Sequence, residues 1–410
     1  MTGESATTPP GPPATASVPL PGRPGTAPRT GPGASTADRS GRPARLPSLT
    51  VLRFPASLAV LVCHIYEFIW PERVWSGDLA DDLLHHAAYL GVALFFLLSG
   101  FVLTWAAREG DSARSLWRRR VVRVFPGHTV VWVIGAVLLL GSGGTLGVAA
   151  ALELPLLHAW AFGPLDEFLV VSGVTWSLSC EVLFYLSFPL VVRLVRRLPR
   201  HRLALCAALL CALVVAFPVV ARVLLPGTPL YGEFPVSRQQ FWFVQVLPLT
   251  RFAEFLLGVI LARTVAERVC PAIRLRYALV AVAASLALSL HLPFLFAFTA
   301  AWVIPLSLLI VACAQADLRR GPTRPNWGPA LWLGETSYAL FLVHLFVVQY
   351  LCVALVAPGP GMPQAHRWTW AVLMVFASVL AAWLLHITVE RPAMRRWSHP
   401  RRRTPDKARP

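Results

Sequence analysis

From Leu49 onward the chain alternates apolar runs about as long as a bilayer is thick with short polar connections, and no run confines its apolar residues to one stripe. Helices that are apolar all round have lipid or other helices as their solvent. The pattern predicts an all-α fold, a polytopic membrane bundle of ten transmembrane helices over 49–70, 86–107, 121–140, 175–192, 203–225, 241–262, 277–292, 294–314, 331–355 and 368–388. Residues 141–174 are moderately apolar and broken by Pro155, Gly163 and Pro164, so they are expected outside, as a partly embedded segment. No internal repeat of the transporter kind is visible.

Composition supports this reading: 56% of residues are hydrophobic and only 14% charged, with a mean hydropathy of +0.60. Residues 1–46 are dominated by Pro, Gly, Ala, Ser and Thr and are expected to form a disordered cytosolic tail. A membrane domain follows over 47–397, then a basic tail over 398–410. The net charge of +17 does not indicate nucleic acid, because the arginines sit in loops between apolar runs rather than in a polar domain. With a cytosolic N-terminus, every Lys and Arg except Arg73, Arg222, Arg238, Arg251 and Arg367 falls on the cytosolic side or at its border. The positive-inside rule therefore predicts a multi-pass protein of the cell membrane with both termini cytosolic and lipid as its surroundings.

An ionisable group deep in a span costs at least about 2.5 kcal/mol on insertion scales, so those present should face the bundle interior. Arg53, His64, Glu67, Glu181, Arg251, Glu254 and His344 are such groups. Arg53 and His64 are eleven residues apart, which returns to nearly the same helix face about 16 Å further along the axis. A guanidinium near the inner mouth can hold phosphate, and an imidazole deeper in can take a hydroxyl proton. Plain alternatives are a positive-inside anchor for Arg53 and a satisfied interior histidine for His64.

The ordered segments LTVLRFPASLAVLVCH, GVALFFLLSGFVLT, RRRVVRVFP, TWSLSCEVLFYLSFPL, PLTRFAEFLLGVI and GETSYALFLVHLF, with a last span ending in ERP, resemble the acyltransferase 3 family of integral membrane O-acyltransferases over about residues 46–397. The resemblance implies an acyl-CoA donor, a sugar or other hydroxyl acceptor, and the first-span histidine, His64, as general base. It assigns donor phosphates to Arg53 and to the Arg120 and Arg123 pair, one helical turn apart, although a solvated basic loop explains that pair equally well. Trp176, Glu181 and Tyr185 match the family pattern, and Glu181 is expected either to orient His64 or to bind the acceptor. Glu67, three residues after His64, is the rival orienter, with simple hydration as its alternative.

Arg251 and Glu254 are spaced to pair along one helix, as a structural ion pair or as part of a substrate site. Ser337 and His344 lie two turns apart on one face, with Tyr338 beside Ser337; His344 is a candidate second proton carrier or an interhelical hydrogen-bonding group. Asp81 with His85 and Asp82 with His86 have metal-compatible spacing, but are expected to be solvated in an outer loop, and no metal is expected. The seven cysteines form no CxxC pair and read as packing residues. No GxSxG elbow or nucleotide-binding glycine loop occurs, so the acceptor hydroxyl is the expected nucleophile. The expected function is transfer of a short acyl group from acyl-CoA to a sugar, a glycan or a glycosylated metabolite such as a macrolide. The alternative is a transporter or flippase of lipid-linked sugars.

Overall fold

A computed structural model describes residues 46–108, 110–162, 171–229, 234–320, 327–352, 355 and 362–398. The expected N-terminal tail and nearly all of the expected basic C-terminal tail lie outside the described residues. Ten helices carry the architecture: α1 (Arg53–Ile69), α2 (Leu79–Ala106), α3 (Ala113–Gly141), α4 (Trp176–Arg197), α5 (Leu203–Leu224), α6 (Pro248–Ala266), α7 (Leu275–Ser289), α8 (Val303–Arg320), α9 (Gly328–Leu351) and α10 (Gln364–Leu385). Among the described residues the sole β-type contact is an isolated bridge between Pro229 and Ser237.

Among the described residues, nine helical segments are long and apolar enough to cross a membrane, against the ten expected. The shortfall is α7, with 15 residues; at 1.5 Å per residue it reaches only about 22 Å against a hydrocarbon core of about 30 Å. Predicted spans also begin late in two places. α2 starts at Leu79 rather than 86, and α3 at Ala113 rather than 121. Ser112 caps α3 by accepting a hydrogen bond from the Ser115 amide, so the arginine-rich turn is already helical.

Burial separates central from peripheral helices. The segment Arg238–Ala266, which contains α6, is 78% buried, whereas Arg200–Leu224, which contains α5, is 17% buried and turns Leu205, Leu209 and Leu213 outward. α6 packs along α2, and α1 is held between α2 and α9. At the α2–α6 crossing a Cβ on Gly100 would collide with the Phe255 carbonyl, and one on Gly258 with the Leu97 carbonyl. Only glycine permits this backbone approach, a common device where lipid supplies no hydrophobic drive between helices. Asp317 of α8 accepts from the Ser48 amide at 2.9 Å and hydroxyl at 2.6 Å, which ties the entry of the first span to the far side of the bundle.

Candidate active site

Two cavities among the described residues bring together side chains expected from the sequence. The first, of about 70 Å³, is lined by Arg53 from α1, Ser99 from α2, Arg120 and Arg123 from α3, Glu181 and Tyr185 from α4, and Ser337 and Tyr338 from α9. Glu181 accepts hydrogen bonds from the Tyr185 hydroxyl at 2.7 Å and the Ser99 hydroxyl at 3.3 Å. The Arg120 guanidinium lies 5.8 Å from the Tyr185 ring centre and that of Arg123 lies 5.4 Å from the Tyr338 ring centre. Tyr338 is itself fixed by its hydroxyl donating to the Val124 carbonyl at 3.2 Å. Three guanidiniums against one carboxylate leave this cavity an excess of positive charge, and the ring contacts hold the arginines without neutralising them.

The second cavity, of about 470 Å³, contains His64. His64 Nδ1 lies 2.8 Å from the Val60 carbonyl and 3.3 Å from His344 Nε2, while His344 Nδ1 lies 2.8 Å from the Phe341 carbonyl. A carbonyl only accepts, so Nδ1 carries the proton in both rings. His344 Nε2 is then an acceptor for the His64 Nδ1–H, and His64 Nε2 takes part in neither of these bonds. His344 is fully buried and bonded through both nitrogens, and it acts on His64 across the α1–α9 contact.

The two candidate carboxylates fall in different cavities. Glu181 lines the arginine cavity and not the one containing His64. Glu67 lines the His64 cavity but pairs with His85, whose Nε2 lies 3.1 Å from Glu67 Oε1. The other nitrogen of His85 donates to the Asp81 carbonyl at 2.9 Å, and Asp81 Oδ2 accepts from the Trp75 amide at 2.9 Å. Asp81, His85 and His86 are therefore not a solvated loop. α2 begins early enough to carry all three inside, where they are 0%, 2% and 3% exposed, and His86 shares a hydrogen bond with the Ser289 hydroxyl at 2.9 Å. The donor atoms of Cys63, Glu67 and His85 lie within 4.8 Å of one another, a grouping that i, i+4 spacing along one helix did not reveal.

Trp75 adopts a left-handed φ of 61°, which is unfavourable for a bulky residue. The Asp81 hydrogen bond and ring contact with His85, 4.0 Å between centres, hold it there and turn its indole to the cavity. Tyr89, Trp176 and Trp242 line the same space. Trp75 and Trp242 were not singled out from the sequence, and only their arrival at one cavity marks them.

The described part of 141–162 folds onto the start of α4. Glu153 is fully buried and accepts from the Thr175 hydroxyl at 2.8 Å and the Val171 amide at 3.2 Å. Burial outweighs those bonds and pushes its carboxyl up to about 7. His158, which lines the larger cavity, is lowered to about 4 by burial and is neutral at pH 7. The remainder of the expected embedded segment, 163–170, lies outside the described residues. Arg251 and Glu254 form a fully buried pair at 3.2 Å, with the guanidinium 4.8 Å from the Phe96 ring centre; neither lines either cavity.

The chain matches the model of a family described as an acyltransferase domain over residues 46–387. It is 34% identical to acyltransferase MdmB of Streptomyces mycarofaciens, with 86% of this chain and 93% of that protein covered. It is 28% identical to nodulation protein 10 of Rhizobium leguminosarum bv. viciae, over 84% and 92%. Peptidoglycan O-acetyltransferase OatA of Listeria monocytogenes is 23% identical over 85% of this chain and 55% of its own length. No solved structure matches the chain significantly.

Proposed function

The chain belongs to this acyltransferase family and is a multi-pass membrane enzyme that transfers acyl groups, and from that premise we propose that it moves a short acyl group from acyl-CoA to a hydroxyl of a sugar-bearing acceptor. The observation that carries the reading is the pairing of two unlike cavities along one helix: α1 contributes Arg53 to the cationic one and His64 to the other, and both cavities are lined by Val92 and Phe341. Family membership favours this enzyme over a transporter of lipid-linked sugars.

In this reading the basic loops and both termini face the cytosol, and the CoA phosphates bind Arg53, Arg120 and Arg123. Glu181 keeps the guanidiniums aligned through its bonds to Tyr185 and Ser99. The pantetheine arm carries the thioester toward His64. His64 Nε2 takes the acceptor hydroxyl proton as the oxygen attacks the thioester carbonyl; a C–O bond forms, the C–S bond breaks, and the proton passes to the departing thiolate. His344 holds the His64 ring by accepting from Nδ1–H, so Nε2 is aimed and basic before the acceptor arrives.

The acceptor occupies the larger cavity. Its walls combine the aromatic faces of Trp75, Tyr89, Trp176 and Trp242 with a few polar groups, Gln245 and Arg238 among them, which is the balance that binds the apolar face and hydroxyl rim of a sugar. A glycosylated metabolite of macrolide type or a short glycan end fits that description. Membranes containing the protein should transfer label from radiolabelled acetyl-CoA to a glycosylated acceptor. Absence of transfer from any acyl-CoA, with the protein present in the membrane, would defeat the proposal.

A further inference from the structure

The arginine cavity and the His64 cavity share two lining residues, Val92 of α2 and Phe341 of α9. Both are buried, at 7% and 9% exposure, and they belong to two helices that each pack against α1. The Phe341 ring lies 5.8 Å from the Phe95 ring centre, on the arginine side, and 5.8 Å from that of His344, on the catalytic side. These two side chains form wall common to both cavities, so they stand where an acyl group held by its phosphates at Arg120 and Arg123 would cross toward His64. This argument rests on the donor and base roles proposed above.

We infer that Phe341, with Val92 opposite, forms the neck through which the acyl group enters the reaction cavity, and that the neck selects donors by the width of the acyl group. The acyl group leads the pantetheine arm through this neck. A straight acyl chain is no wider than the arm that follows it, so a neck that admits the arm admits the chain; a branch next to the carbonyl is wider and meets the Phe341 ring. A packed apolar wall discriminates a single methyl by roughly tenfold or more. The gate is also joined to the base. The Phe341 backbone carbonyl accepts from His344 Nδ1, so trimming the side chain widens the neck while leaving that hydrogen bond in place.

The test compares acetyl-CoA with isobutyryl-CoA, using wild-type protein, Phe341→Ala, Phe341→Leu and Val92→Ala in membranes with one acceptor. The expected result is an isobutyryl-to-acetyl rate ratio that rises roughly tenfold in Phe341→Ala, rises less in Val92→Ala, and stays within about twofold of wild type in Phe341→Leu. If Phe341→Ala does not accumulate, Val92→Ala decides, because it widens the same neck by loss of only two methyl groups. An unchanged ratio in the variants that accumulate, with wild-type transfer intact, overturns the gate alone. Wild-type protein that transfers nothing from either donor overturns the donor reading, and the gate with it.

Discussion

The arginine cavity and the histidine cavity are built by different means. In the first, each charged group comes from a helix whose motif already displays it: Arg53 from α1, Arg120 and Arg123 one turn apart on α3, and Glu181 and Tyr185 one turn apart on α4. In the second, the motif residues His64 and His344 come from different spans, and the groups that meet there are brought together by tertiary folding rather than by helical spacing. His344 is 280 residues away in sequence, His85 is 18 residues from Glu67, Trp75 comes from the connection between α1 and α2, and Trp242 from the helical turns that lead into α6. Fixed charges on adjacent turns suit a donor whose phosphates are always the same. A wall assembled from several connections can change its shape with little cost to the bundle, as a variable acceptor requires.

The sharpest way to break this division of labour is His64→Ala. Transfer should fall by roughly 10²–10⁴-fold, the usual contribution of a positioned base, while membrane abundance and donor affinity stay close to wild type. Wild-type turnover in that variant would end the assignment of the larger cavity as the reaction site. The reciprocal change, Arg120→Ala with Arg123→Ala, should raise KM for acyl-CoA by at least about a hundredfold, since each charge-assisted hydrogen bond is worth about 1.5–3 kcal/mol and two are lost. KM for the acceptor should not move. Equal effects on both substrates would mean that the two cavities do not divide donor from acceptor.

A smaller effect is expected from His344→Ala, which removes one of the two acceptors for the His64 Nδ1–H, the Val60 carbonyl being the other, without touching either substrate. kcat should drop by up to about tenfold, the worth of one neutral hydrogen bond, with both KM values unchanged. A change in KM alone would make His344 a packing residue. The smallest effect concerns Glu153, which anchors the wall leading into α4. Its carboxyl ionises near 7 in the folded protein against an ordinary value of 4.5. The folded state therefore holds a proton that the unfolded chain has released, so stability falls as pH rises from about 4.5 through about 7 and then levels off. Glu153→Gln should flatten that profile by a few degrees in Tm, measured in detergent between pH 5 and pH 8. A slope as steep as wild type would place the titrating group elsewhere.

Much of the site could be read along the chain because helical geometry is local. Eleven residues between Arg53 and His64, or three between Arg120 and Arg123, determine a face and a rise whatever the neighbours do. Asp81 and His85 resisted the same treatment. Their flanks are polar and short of a span, so they read as loop, and only packing of the first turns of α2 against Trp75 and Glu67 makes them interior. The neighbours of Glu181 were equally hidden: the sequence left it to orient His64 or to bind the acceptor, and only the packing of α4 sets it in the cavity with Arg53.

Sequence alone determined that the chain is an all-helical membrane protein, where most of its helices run, and which side chains would be too costly to leave facing lipid. Those properties depend on the solvent each residue meets and on helical periodicity, and both are written in consecutive residues. Only the tertiary structure decided which buried groups share a cavity. Contacts such as His64 with His344, or Val92 and Phe341 at one neck, depend on how distant helices rotate and cross, which is set by close backbone approaches such as Gly91 against Ala56 and Gly334 against Thr50 and by no local pattern.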